Sequence, residues 1–241
     1  MTDETTHFGF REVPVAEKAK RVRAVFDSVA SRYDLMNDLM SAGVHRLWKR
    51  AFVHEARPRA GETFLDLAGG TGDIAFALAD EGADVRVCDI NEAMLRQGRA
   101  RALLRDLDWI AGDAMALPFA SATFDAATIA FGLRNVTDPD AALREIRRVL
   151  KPGGRFLCLE FSRVALPVLD KLYDAYSFSA LPQLGQWIAG DAESYRYLAE
   201  SIRRFPPQAE LARRMTQAGL SRARFRNLSG GIVAIHSGWR T

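Results

Sequence analysis

An α/β fold with a mostly parallel sheet is predicted by three observations. Apolar strand-like runs alternate with helical patterns from residue 63 to residue 160, and that alternation gives parallel strands covered by helices. One run, Phe64-Leu-Asp-Leu, breaks into the glycine-dense turn Ala68-Gly-Gly-Thr-Gly72, and Asp73-Ile-Ala-Phe-Ala-Leu-Ala follows as a helix. About 20 residues further on, where an acid can hydrogen-bond a ribose, Val85-Arg-Val-Cys ends in Asp89. Strand, glycine turn, helix, strand and acid in this order make a Rossmann-like unit.

Taken in order, residues 15–56 read as helices, with Val22, Val25, Phe26 and Val29 on one face. Pro58 and Gly61 punctuate the approach to the first strand. Strands at 63–67, 84–88, 108–110, 124–130 and 155–160 alternate with helices at 73–80, 91–104 and 138–149, the last strand following the turn Lys151-Pro-Gly-Gly154. Residues 163–205 break the rhythm and hold Tyr173, Tyr176, Trp187, Tyr195 and Tyr197. A segment this long between strands is usually functional, and it is expected to form a helical insertion that roofs the strand ends with the N-terminal helices. Helix 207–218 follows, and 223–228 pairs with 232–239 across Gly230-Gly231 as an antiparallel hairpin. The expectation is a seven-stranded, mostly parallel sheet with an antiparallel C-terminal edge strand. It forms one domain, 1–241: an N-terminal helical cap (1–57), a cofactor-binding core (58–162), a helical substrate cap (163–205), and a final helix and hairpin (206–241).

Composition narrows the function. The 241 residues carry a net charge of +3, and arginines cluster at 96–105 and 203–226 among dispersed acids. That pattern reads as solvated helix faces rather than a nucleic-acid stripe. Cys88 and Cys158 fall inside apolar runs, as small buried hydrophobes do in a reducing compartment. The polar N-terminus lacks a signal-peptide pattern, and no apolar run approaches the ~20 residues that cross a bilayer. A cytoplasmic protein is expected. His7, His45, His54 and His236 show no metal-ligand spacing, so no metal is expected.

The cofactor is nucleotide-like. Gly70 and Gly72 can take backbone angles that a Cβ forbids, and the next helix points its free N–H groups and dipole at whatever sits there. Gly70-Thr-Gly72-Asp-Ile-Ala75 also fits the dinucleotide pattern, so a nicotinamide or flavin enzyme is the alternative. Asp66, just before the turn, would repel a pyrophosphate. It would welcome the cationic amino-acid end of S-adenosylmethionine. A third reading has Asp66 only ordering the turn through backbone hydrogen bonds.

The whole pattern resembles class I S-adenosylmethionine-dependent methyltransferases. Tyr33-Asp-Leu-Met-Asn-Asp-Leu-Met-Ser41, continuing to His45-Arg-Leu-Trp48, resembles the N-terminal signature of the ubiquinone/menaquinone biosynthesis C-methyltransferase family. Phe131-Gly-Leu-Arg-Asn135 is similar to that family's loop after the fourth strand, and Arg148–Ser162 to its second signature. Thr6–Phe10, Tyr173–Tyr176 and Asp191–Leu198 agree as well. The chain departs at Ala130, where many members carry serine.

The resemblance implies methylation of a ring carbon of a polyprenylated benzoquinol or of demethylmenaquinol. It implies Thr71, Asp89 and the pair Asp113-Ala114 as contacts to S-adenosylmethionine, beside Asp66, Gly70 and Gly72. A membrane-borne quinol puts the enzyme at the inner face of the membrane or within a quinone-biosynthesis complex, with homo-oligomerisation open. The chemistry needs a hydroxyl proton removed, cationic help for the phenolate and a base for the ring proton. Arg134 can stabilise the phenolate or orient a water; the alternative is an ion pair with Asp138 or Asp140. Asn135 can orient a quinol oxygen or cap a turn. Asp34, His45 and Tyr176 are the base candidates, each otherwise a structural polar group, and Glu160, at a strand end, can serve the site or equally bind Arg163.

Overall fold

The structure is a computed structural model that describes residues 5–29, 37–38, 41, 43–102, 105–164, 183 and 192–241. Two short strands come first, β1 (Thr5–Phe8) and β2 (Arg11–Pro14). They pair from Thr5↔Pro14 to Phe8↔Arg11, and Gly9, with φ +60°, opens the two-residue loop, the position where such loops call for glycine. The segment expected as a helical cap over 1–57 thus carries a strand hairpin ahead of its helices. Four-residue strands made mostly of polar residues carry too little apolar alternation to be read.

Helix α1 (Val15–Val29) turns Val22, Val25 and Phe26 inward as expected; the Val29 side chain lies outside the described residues. Helix α2 (His45–Ala56) stops at Arg57, which takes the left-handed conformation and donates its N–H to Val53 O. The core then alternates: β3 (Thr63–Leu67), α3 (Asp73–Asp80), β4 (Asp84–Asp89), α4 (Glu92–Ala102), β5 (Asp108–Ala111), β6 (Phe124–Ala130), α5 (Pro139–Val149) and β7 (Leu150–Phe161). Asp138 caps α5 by accepting from the N–H groups of Asp140 and Ala141, with proline at the first turn. Strand β7 starts earlier than expected. Its partner register jumps from Phe124↔Leu150 to Ala126↔Arg155, so Lys151-Pro-Gly-Gly154 is a bulge within the strand rather than a turn before it. Helices α6 (Ala192–Arg204) and α7 (Gln208–Gln217) precede β8 (Leu220–Leu228) and β9 (Val233–Arg240).

The main sheet runs β5-β4-β3-β6-β7-β9-β8. Strands β3 to β7 are parallel, and β9 runs against both of its neighbours. The antiparallel C-terminal strand is therefore inserted one place inside the edge, and its hairpin partner β8 takes the outermost position. Successive strand residues face opposite sides. Phe64, Val85 and Val87 pack with Val22, Phe52 and Ile74 on one face; Leu65, Leu67 and Ile129 pack with Leu143, Ile146 and Leu211 on the other. Strand order reverses between β3 and β6, which is where a crevice opens beyond the carboxyl ends of a sheet of this kind.

Candidate active site

The turn after β3 is built from backbone that most side chains resist. Ala68 has φ +48°, Gly70 φ +55° and Gly72 φ +87°. A Cβ on Gly69 would lie 2.7 Å from Val87 and 2.8 Å from Asp66 Oδ2, so the backbone lies tight on the sheet there. Gly70 N–H donates to Asp89 Oδ2 at 2.9 Å, and Asn91 N–H to Asp89 Oδ1 at 2.8 Å. Asp89 thus ties the glycine turn to the end of β4, and each of its oxygens keeps a lone pair for a further donor. Burial raises its carboxyl to about 6.

A cleft opens at this edge. Gly70, Asp89, Asp113 and Ala114 line it together, as the cofactor reading requires, and so does Asn135 from the loop after β6. Asp113 accepts from Met115 N–H at 2.9 Å, which shapes its loop. Val22, Arg23 and Phe26 of α1 form the opposite wall, as expected of an N-terminal roof.

Asp66 and Thr71 line a smaller recess with Lys49, Asp73 and Ile74; Ala68, Ala130 and Phe131 wall both spaces. Asp66 is buried. Its Oδ1 accepts from Thr128 Oγ1 at 2.9 Å, while Oδ2 has no partner. Desolvation raises its carboxyl to about 7. Asp73 instead is held below its ordinary value: burial pushes it up, but Lys49 at 2.6 Å and Arg101 at 2.9 Å prevail.

Gly72 lines neither space. It starts α3, and a Cβ there would lie 2.6 Å from the Trp109 ring. Arg134 is likewise away from both linings. Its Nη1 donates to Phe131 O and to Glu160 Oε1, each at 2.6 Å, and its guanidinium sits over the Phe161 ring. This corrects two expectations at once. Asp138 caps α5, Asp140 faces Arg214, and Glu160 holds Arg134 rather than Arg163. Burial raises the Glu160 carboxyl, with the guanidinium and two backbone N–H groups pulling the other way.

His45 lines neither space. Its Nε2 lies 2.9 Å from Asp38, and burial lowers its pKa. Asp34 and Tyr176 lie outside the described residues, as do Tyr33, Tyr173 and Trp187.

Two contributors, Asn91 and Thr128, were missed in the sequence, and two named there, Phe131 and Tyr197, take roles it did not give them. Asn91 caps α4 through Met94 N–H and donates to Asp27 of α1; an Asn just before a helical pattern is the signal that could have found it. Phe131, in left-handed backbone at φ +56°, packs against Phe161 and Trp48. Thr128 faces Asp66 across the β3–β6 register. Tyr197 donates to Asn135 Oδ1 at 3.0 Å. No local pattern marks the last three.

Among the described residues no cluster of metal-ligating side chains occurs, and no helix is long and apolar enough to cross a membrane. The model of the ubiE/COQ5 methyltransferase family matches residues 14–240. The ubiquinone/menaquinone biosynthesis C-methyltransferase UbiE of Roseobacter denitrificans is 55% identical, covering 100% of both chains. The protein of the same name from Acidiphilium cryptum is 58% identical over 99% of this chain and 98% of its own. Among solved structures, a SAM-dependent methyltransferase from Thermotoga maritima covers 91% of this chain and 100% of its own, with a TM-score of 0.67 at 20% identity; it shares the fold.

Proposed function

The chain belongs to the ubiE/COQ5 methyltransferase family, and from that premise we propose the following reaction and site. It is an S-adenosylmethionine-dependent C-methyltransferase that acts on a ring carbon of a polyprenylated benzoquinol or of demethylmenaquinol, in ubiquinone and menaquinone biosynthesis.

The observation that carries the cofactor assignment is Asp66. A buried carboxylate oxygen without a partner stands at the glycine turn, where a dinucleotide's pyrophosphate would be repelled. It suits an ammonium. Asp89 offers two acceptors for a ribose, Asp113 and Ala114 line the far part of the same cleft, and left-handed Gly70 leaves the backbone bare for close approach. When bound, S-adenosylmethionine supplies an electrophilic methyl on a sulfonium sulfur.

The chain's own residues handle charge and water. A quinol carbon becomes nucleophilic when a neighbouring hydroxyl loses its proton. Asn135, at the cleft wall, donates to the oxygen that carries the resulting charge. The buried Arg134, its charge met by Glu160, holds the Phe131 carbonyl and so fixes the loop that carries Asn135. Phe131, Val22 and Phe26 exclude water, which strengthens each of these interactions. The base that takes the hydroxyl proton, and the ring proton after transfer, is Asp34 or Tyr176, because His45 lines neither space and is engaged with Asp38. The polyprenyl tail places the enzyme at the inner face of the membrane or within a quinone-biosynthesis complex.

The test is mass spectrometry of quinones from cells lacking the protein, paired with purified enzyme and a labelled methyl donor. A demethylated quinone in the cells and label on a ring carbon are expected. Label on oxygen would replace this reading with an O-methyltransferase.

A further inference from the structure

Tyr197 is almost fully buried on α6, far along the chain from the loop after β6, yet its hydroxyl donates to Asn135 Oδ1 at 3.0 Å. The opposite end of the Asn135 amide, Nδ2, points to Phe131 O at 3.4 Å. Phe131 O can only accept, so both contacts agree on one orientation of the amide. With Oδ1 engaged, the group that Asn135 can offer at the cleft wall is an N–H. Burial raises the Tyr197 pKa well above its ordinary value, with Arg134 opposing and Glu160 adding to the shift. The phenol therefore stays protonated and remains a donor.

The tyrosine is itself held from outside. Phe8 of β1 stacks on its ring, with centroids 4.1 Å apart and planes 16° from parallel. The hairpin that carries Phe8 is tied to α6 through Phe10 N–H and Glu200 at 3.0 Å, and through Arg204 and His7 at 3.0 Å. A chain of contacts runs from the N-terminal hairpin through Tyr197 to the polar group at the cleft.

We propose that Tyr197 is a positioning residue for the methyl transfer: it locks Asn135 with its N–H toward the substrate oxygen, and the N-terminal hairpin, through Phe8, holds Tyr197 in place. This rests on the quinol reading given above. Without the lock the amide can turn over and present Oδ1, an acceptor, to an oxygen that is gaining negative charge. The geometry also gives the hairpin a task that its distance in sequence from the core conceals.

The experiment measures steady-state methyl transfer to a short-tailed benzoquinol by the full chain and by Tyr197→Phe, Asn135→Ala and the double variant. Tyr197→Phe keeps the ring and its stack on Phe8 and removes one hydroxyl. A fall in kcat of about tenfold is expected, the scale of one hydrogen bond to a charged group. KM for the methyl donor and the melting temperature should stay near those of the unaltered protein. In the double variant the loss should equal that of Asn135→Ala alone, because the hydroxyl acts only through that amide. Phe8→Ala, which leaves every polar group in place, should lower kcat in the same direction, and Phe8→Tyr should restore it. Additive losses, or an unchanged kcat in Tyr197→Phe beside a damaged Asn135→Ala, would overturn the positioning role and leave the reaction standing. No methylated quinol from the unaltered protein would overturn both.

Discussion

Arg134 and Glu160 form an ion pair at 2.6 Å with both side chains almost wholly out of water, joining the loop after β6 to the end of β7. Such a pair is costly to assemble and more costly to break, since removing one partner strands a buried charge at roughly 3–5 kcal/mol. Glu160→Ala should therefore lose about that much stability in urea unfolding. Replacing both residues together by Met and Leu should recover most of the stability and no activity, because the Phe131 carbonyl loses its closer donor and the loop that carries Asn135 loses its anchor. A stable double variant with full turnover would reduce Arg134 to a packing role.

Cofactor affinity should depend on pH through Asp66 and Asp89, whose buried carboxyls stand at about 7 and about 6. Each holds the cofactor more strongly when ionised, Asp66 by opposing its ammonium and Asp89 as a charged acceptor, so affinity for the methyl donor should rise between pH 5 and pH 8. Asp66→Asn should remove the upper part of that rise, as read by calorimetry. Stability runs the other way. Both folded pKa values lie above the ordinary aspartate value of 3.8, so the folded state binds more protons between about pH 4 and pH 7. The contribution of these acids is present at low pH and is lost as pH rises through 6 and 7. A bound cation should relieve this penalty, giving a larger ligand-induced rise in melting temperature at pH 8 than at pH 5.5. An equal rise at both would remove Asp66 from the site.

Helix α1 is strapped across the cleft at two points, Lys18 Nζ to Val136 O at 3.0 Å and Asn91 Nδ2 to Asp27 Oδ1 at 2.9 Å. Residues between these points line the cleft. Cutting either strap, by Lys18→Met or Asp27→Ala, should speed release of S-adenosylhomocysteine by about three- to tenfold, the range of one net hydrogen bond. Stopped-flow fluorescence would read it. Identical off-rates would make α1 a fixed wall.

What could be read in the chain follows from where the information lies. Gly70, Asp89 and the helix between them sit within about 20 residues, the spacing of the dinucleotide-type unit, and periodicity fixed the seven strands because β3–β7 are flanked by helices of opposite pattern. The Arg134–Glu160 pair was not legible. It spans 26 positions and exists only because β6 and β7 pair in one register, bulge included. Asp138 and Asp140 were nearer in sequence and turned out to serve a helix cap and Arg214. Tyr197 was hidden for the same reason: its partner Asn135 lies 62 residues away, and an aromatic-rich stretch reads as packing. The hairpin at 5–14 was hidden because its stability comes from docking on α6, not from its own apolar pattern.

Divalent metal should be dispensable. The phenolate can be stabilised by the Asn135 N–H in a water-poor cleft, so turnover in EDTA should match that in its absence. Loss of activity in EDTA with recovery on adding magnesium would move the chain toward a catechol-type, metal-assisted mechanism.

Substrate delivery yields the last prediction. Each methylene of a polyprenyl tail removed from water is worth about 0.8 kcal/mol, so even a partly enclosed tail should dominate affinity. The sequence assigns that enclosure to the aromatic segment 163–205, where Tyr176 and Trp187 lie outside the described residues. In the described part of the segment, Tyr195 and Tyr197 are buried in the core, and the latter bonds Asn135 at the cleft wall. Trimming Tyr176 or Trp187 to Ala should raise KM for a long-tailed quinol by far more than for a tailless analogue, with kcat on the analogue little changed. Equal losses on both substrates would mean that these aromatics stabilise the fold alone, and the tail site would have to be sought along α1 and the outer face of α2 instead.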